Sequence, residues 1–310
     1  MPSDRRPPVG AADYHHVDVF ATAAYSGNSL AVFISPPPLT AGQMSTITRE
    51  LRHFETIFVR RSGNEGVVDA RVFDLCEELD FAGHPVLGAA AVLHALDAAA
   101  DERREWTFRL PAATVQVTTN GQPDGRVAVL MAAARPELVS RLSAEDRPLI
   151  AAALGLVVDD LDEVLPPEVW STGLRYLVVS VRDGEALVRA RIAHSDLTGF
   201  LEGYGAQFAY VLDAAAVEGR HWNNDGVLED VATGSAAGCV AAYLMRHGRA
   251  RGGERLTLSQ GRFVGRPSTL AITAYGTAGS IERVTVGGDV VLVGNGSLHV
   301  LPSEPGQETT

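Results

Sequence analysis

The chain contains no lysine: all 26 of its basic residues are arginine. That absence excludes the Schiff-base lysine of pyridoxal-phosphate enzymes and lysine-dependent aldolases, and the P-loop lysine of nucleotide hydrolases. Cysteine is nearly as scarce. Cys76 and Cys239 stand alone, too few for a disulfide framework, and no C-x-x-C pair exists to hold structural zinc. Positive charge is in deficit, with 26 Lys+Arg against 38 Asp+Glu and a formal net charge of −12. This argues against nucleic acid or an anionic membrane as a partner. No stretch approaches the roughly 18 uninterrupted apolar residues that span a bilayer, since His84, His94 and Asp97 break the longest alanine-rich segment. The opening MPSDRRPPVG is polar and proline-rich, unlike a signal or transit segment. A cytoplasmic protein acting on a small molecule is expected.

Other chemistries fail on spacing. The nine histidines show no H-E-x-x-H or other metal pattern, and the adjacent His15 and His16 would point to opposite faces of a strand, so no metal site is expected. GSAAG at 234–238 places its serine one position too early for a nucleophile elbow. GYGAQF at 203–208 lacks the third glycine of a dinucleotide fingerprint. No cofactor is implied.

What the chain does have is 310 residues, 46% of them hydrophobic, enough apolar surface for two domains. The first half reads as mixed α and β. Strands are expected at 17–20, 30–34, 56–59, 67–73, 106–110, 114–118 and 126–131. Thr40 followed by Gln43 fits a capping box, with Met44, Ile47 and Leu51 on one helical face. A break falls at 132–137, followed by a helical stretch near Ser143. Further strands are expected at 175–182, 208–212, 255–259, 270–275, 283–286, 290–293 and 297–301, with Gly287-Gly288 as a tight hairpin. The expected lobes are 12–131 and 138–302, the last strand being free to return to the first lobe, with flexible tails over 1–11 and 303–310.

An internal echo relates the halves. With Gly83 laid on Gly234, FAGHPVLGAAAVLHAL covers ATGSAAGCVAAYLMRH, and Ala90/Ala241, Ala91/Ala242 and Leu93/Leu244 coincide. Each segment reads as a glycine turn opening an alanine-rich helix that is polar on no face, and so belongs at the centre of its own domain. Such helix starts expose backbone N–H groups at the positive end of the dipole, suited to a substrate carboxylate. Asp80 and Asp230 precede the two turns, as caps or as acid/base groups.

VDVFATAAYSGNSLAVF (17–33), FETIFV (54–59), FAGHPVLGAA (81–90), EDVATGSAAG (229–238) and GRPS (265–268) together resemble, in sequence and in order, the phenazine-biosynthesis isomerase (PhzF-like) family. The resemblance implies an α+β, diaminopimelate-epimerase-like fold. Two similar lobes would each wrap a sheet around a central helix, with the active site between them. It further implies a cofactor-independent isomerase of the trans-2,3-dihydro-3-hydroxyanthranilate isomerase type and a homodimer. Glu55 matches the family's catalytic glutamate, which removes a proton from one carbon and returns it to another. His84, Asp230 and Ser235 match residues that assist proton movement or hold substrate, and Gly83 and Gly234 match the turns facing its carboxylate. Thr233, and Ser26 and Asn28 of the first motif, are carried over as substrate-binding.

Apolar Phe54, Ile57 and Phe58 around Glu55 point to partial burial, which would raise its pKa toward that of a general base. Related epimerases use a cysteine before each turn glycine, where Ala82 and Thr233 stand here, so thiol racemisation is not expected. Val231, Ser29 and Phe54 depart from the usual family pattern, and HWNNDG (221–226) is either an ordinary loop or the lining of a different pocket. These differences put the phenazine precursor in question as substrate. Two alternatives remain open: a carboxyl-based amino-acid racemase or epimerase, and a catalytically silent small-molecule-binding protein.

Overall fold

The computed structural model describes residues 11–99 and 102–303. The tails expected over 1–11 and 303–310 therefore lie, but for Ala11 and Ser303, outside the described residues. Two compact units emerge: 1–131 together with 289–310, and 132–288.

The first unit contains β1 (Ala12–Val19), β2 (Asn28–Ile34), α1 (Ala41–Leu51), β3 (Glu55–Arg61), β4 (Val67–Asp74), β5 (Glu78–Leu79), α2 (Gly83–Asp97), β6 (Arg103–Arg109), β7 (Thr114–Gly121) and β8 (Val127–Ala132). The strand order β1-β2-β3-β4-β6-β7-β8 is closed by the last strand of the chain, β16 (Ser280–Leu298), which neighbours β8 and pairs antiparallel with β1. A closed barrel leaves no open edge. Through it runs α2, packed against β1, β2, β3, β6 and β7 and buried from His84 to His94. Its apolar circumference requires such a place. Gly88 permits the close approach, because a Cβ there would meet Leu30 Cδ2 at 2.5 Å and Val19 Cγ2 at 3.0 Å. Outside the barrel α1 covers a separate small core of Ala31, Phe33, Met44, Ile47, Phe58 and Phe73. Thr40 and Gln43 form the reciprocal capping box at its start.

The second unit holds β9 (Glu137–Arg141), α3 (Arg147–Ala153), β10 (Glu168–Ser171), β11 (Arg175–Val181), α4 (Gly184–Arg189), α5 (Leu197–Glu202), β12 (Phe208–Asp213), β13 (Glu218–His221), α6 (Gly234–Arg246), β14 (Arg255–Gln260) and β15 (Ser268–Thr277). Strand order runs β16-β15-β14-β13-β12-β11-β10-β9. The near-continuous apolar run of β11 is buried on both faces. Leu177, Val179 and Val181 enter a core with Ile150, Leu187 and Leu201 from α3, α4 and α5, whereas Tyr176 reaches α6. Helix α6 packs on β10, β11 and β15 and is buried from Ala236 to Met245.

One expectation fails. Gly287-Gly288 is not a hairpin: both glycines are extended within the 19-residue β16. Gly287 pairs with Ala271 of β15, and from Val290 onward the same strand pairs with β1. The three strands expected between 283 and 301 are therefore one, and it leaves the second unit for the first at Asp289. The actual hairpin lies earlier, at the pair Thr277↔Ser280. No helix among the described residues is long and apolar enough to cross a membrane.

Candidate active site

Glu55 opens β3 in parallel register with Leu30 of β2. Leu30 meets α2 at Gly88, so Glu55, on the same face of the sheet, also turns inward. There it meets His84, the second residue of α2: Nδ1 lies 3.5 Å from Glu55 Oε2, with side-chain exposures of 8% and 13%. Asn28, two residues before Leu30, is buried, and so is Ser26, whose hydroxyl donates to the Ala23 carbonyl at 2.7 Å. Gly27 between them takes φ +65°, and a Cβ there would stand 2.4 Å from the Val19 carbonyl, so only glycine is accommodated. The neighbouring Tyr25 also has positive φ, and its N–H donates to the buried Asp18 carboxylate at 2.6 Å. Asp80, the alternative acid before this turn, is exposed.

The second unit builds its turn from Asp230 to Ser235. The Thr233 hydroxyl donates to Asp230 Oδ2 at 2.7 Å, and the Ala232 N–H to Oδ1 at 3.3 Å. Asp230 N–H donates to the His221 carbonyl at 2.9 Å. Burial holds the His221 imidazole below its usual pKa, against the opposing pull of Asp230. Ser235 is fastened twice: its Oγ lies 2.7 Å from Tyr176 Oη, and its carbonyl accepts from Thr172 Oγ1 at 3.1 Å. Glu229 receives a two-point ion pair from Arg220, at 3.0 and 2.7 Å.

The segment 221–226 meets this turn through the His221 carbonyl and is otherwise held by its own contacts. Trp222 is buried beneath the Arg220 guanidinium, which lies 4.4 Å from its ring centroid. Asn224 Nδ2 donates to the Gln207 carbonyl at 3.0 Å, and Asp225 Oδ1 accepts from Val227 N–H at 2.9 Å.

The helix starts differ in a way that bears on chemistry. Helices α1, α4 and α5 are capped by the side chains of Thr40, Asp183 and Asp196. Neither α2 nor α6 has such a cap: Ala82 cannot supply one, and the Thr233 hydroxyl is turned away to Asp230. Their first-turn N–H groups, at Gly83 and Gly234, remain suited to an anion. Neither cysteine stands at the start of α2 or of α6. Cys76 is exposed, while Cys239 is buried inside α6, where desolvation pushes its thiol up to about 12. Among the described residues no group of three or more His, Cys, Asp or Glu side chains converges as a metal site.

Gln260, the buried last residue of β14, lies outside all five family motifs yet belongs to this turn. Its amide binds Asp230, Thr233 and Tyr210 at once. Nothing in its local sequence announces that role.

Comparison with known proteins agrees with these motifs. The model of the phenazine biosynthesis-like protein family (PhzC-PhzF) matches residues 17–296. The trans-2,3-dihydro-3-hydroxyanthranilate isomerase of Pseudomonas chlororaphis is 33% identical over 294 residues, covering 92% of this chain and 99% of that one. Among solved structures, one described as a predicted epimerase from Pseudomonas aeruginosa is 43% identical with a TM-score of 0.84, over 93% of this chain and 99% of the other. A PhzF-family phenazine biosynthesis protein from Bacillus anthracis shares the fold at 21% identity and a TM-score of 0.80, over 93% and 99% of the two chains. The fold is diaminopimelate-epimerase-like. The curated relatives named trans-2,3-dihydro-3-hydroxyanthranilate isomerase favour a PhzF-type isomerase over both alternatives, the amino-acid racemase or epimerase and the silent binding protein. The chain belongs to the phenazine biosynthesis-like (PhzC-PhzF) family and is an isomerase of the PhzF type.

Proposed function

We propose that the protein moves a proton between carbons of a small, carboxylate-bearing, cyclic or unsaturated metabolite, with Glu55 as the shuttle and no cofactor or metal in the reaction. The observation that carries this reading is the 3.5 Å approach of His84 Nδ1 to the largely buried Glu55 carboxylate at the start of α2. A C–H bond beside a carboxylate or in an allylic position becomes acidic when the developing charge meets preorganised N–H donors. The uncapped starts of α2 and α6 are such donors. Glu55 accepts the proton and delivers it to another carbon of the conjugated system, which shifts a double bond without an external reductant. His84 and Asp230 assist proton movement, and Ser235, Gly83, Gly234, Ser26 and Asn28 hold the substrate.

The test is to incubate the protein in deuterated water with a panel of dihydroaromatic carboxylic acids and amino acids. Deuterium should enter a carbon of a dihydroaromatic acid, accompanied by a shifted double bond. Uptake confined to the α-carbon of an amino acid, with inversion on chiral analysis, would replace this reading with racemisation.

A further inference from the structure

We infer that Gln260 is a positioning residue for the reaction: acting through Thr233, it orients the Asp230 carboxylate. The inference rests on the reading that Asp230 assists proton movement.

Gln260 is 2% exposed, and its amide orientation follows from its partners. The Thr233 backbone N–H, 3.2 Å away, can only donate, so it faces Oε1. The Asp230 carbonyl, 2.9 Å away, can only accept, so it faces Nε2. No flipped amide satisfies both. Tyr210 Oη donates to the second lone pair of Oε1 at 3.0 Å, and Nε2 spends its second proton on Thr233 Oγ1 at 2.9 Å. All four hydrogen-bonding positions of the amide are therefore occupied, three of them by the Asp230–Thr233 turn.

This arrangement sets a direction. Thr233 Oγ1 accepts from Gln260, so its single proton goes to Asp230 Oδ2, 2.7 Å away. The carboxylate is thereby held at one oxygen by a hydroxyl whose own rotation is fixed. Thr233 consequently works with Gln260 as a positioning residue, and its hydroxyl proton is not offered to substrate. The connection from Asp230 to Thr233 lies outside α6 and lacks the support of a helical hydrogen-bond ladder; Gln260 supplies that support from β14.

Gln260→Glu is the discriminating variant. The nearly isosteric carboxylate still accepts from Thr233 N–H and Tyr210, but it donates to neither the Asp230 carbonyl nor Thr233 Oγ1. It also competes with Asp230 for the Thr233 proton. Amide hydrogen exchange at Ala232, whose N–H donates to the Asp230 carboxylate, read by NMR without any substrate, should accelerate at least tenfold while Val240 to Leu244 inside α6 stay unchanged. In the deuterium-uptake assay kcat should fall at least tenfold with KM within threefold. On an Asp230→Asn background the same change should cost less than threefold more, because the group it orients is already lost.

Unchanged exchange at the turn overturns the inference, as does a full tenfold kinetic loss that persists beside Asp230→Asn. Should Gln260→Glu not fold, Gln260→Asn withdraws the same amide by one methylene and is read identically. Absence of deuterium uptake by the unaltered protein would end the functional reading alone, because the amide-exchange measurement still decides whether Gln260 holds the turn.

Discussion

His84 Nδ1 lies 3.5 Å from Glu55 Oε2 inside the first unit, where the start of β3 meets the start of α2. Neither element would bring the pair together alone. The parallel register Leu30↔Glu55 aims the carboxylate inward, and Gly88 lets α2 lie close enough for the second residue of the helix to meet it. The pair therefore depends on barrel packing as much as on the two residues that compose it.

Replacing His84 by Asn keeps a polar group at the start of α2 but removes an acid/base partner of Glu55. A positioned general acid or base is worth about 10²- to 10⁴-fold in rate. The kcat for deuterium uptake should fall by about 10² or more while ligand affinity, measured by calorimetry, stays within about tenfold.

Gly88→Val should destabilise the first unit, because its Cβ would already stand 2.5 Å from Leu30 Cδ2 and the branched methyls add to the clash. Overpacking of this kind costs about 1–3 kcal/mol. Urea denaturation should show a midpoint shifted downward by a corresponding amount. An unchanged midpoint would mean that α2 moves freely within the barrel.

Cys76 and Cys239 should separate cleanly by reactivity. With its thiol at about 12, Cys239 is protonated at pH 8 and buried, whereas Cys76 is exposed. Iodoacetamide should label the native protein once, at Cys76, and the denatured protein twice, as counted by mass spectrometry. Isomerase activity should survive the single modification, since no thiol belongs to the proposed chemistry.

Glu168 predicts an acid limb in stability. Burial, the largest influence, raises its pKa, but hydrogen bonds from His247, Trp170 and Arg141 together outweigh it and leave the carboxyl below its ordinary value. A depressed folded-state pKa stabilises the fold above the unfolded value, and that stabilisation is lost as pH falls through the folded value. The urea midpoint should therefore drop as pH is lowered below the ordinary glutamate range. Glu168→Gln should be less stable at neutral pH and flatten that limb.

Much of this architecture is written in local patterns. The Thr40–Gln43 capping box is a contact between residues three apart, and it forms as read. The 151-residue echo located both central helix starts, at Gly83 and Gly234, because an alanine-rich helix without a polar face has few places to lie. Glu55 and His84, 29 positions apart, were joined by family resemblance, since no periodicity links them. What escaped reading depends on distant partners. Gly287-Gly288 resembles a hairpin, yet β15 and β1 supply pairing partners that keep the strand straight through it. The short β9, β10 and β13 have too few residues to set an alternation, and tertiary pairing defines them. Gln260 gains its role only when the end of β14 returns beside Asp230, a contact across 30 positions.

The most direct measurement of the central claim is deuterium incorporation by Glu55→Gln. The amide keeps the size of the side chain and its place at the start of β3, but cannot accept and return a proton. With a substrate turned over by the unaltered protein, the variant should bind within about tenfold of normal affinity and incorporate no deuterium into carbon, a loss at least as large as the roughly 10²- to 10⁴-fold of a general base. Incorporation at an undiminished rate would contradict the account and require that the proton be carried by another group.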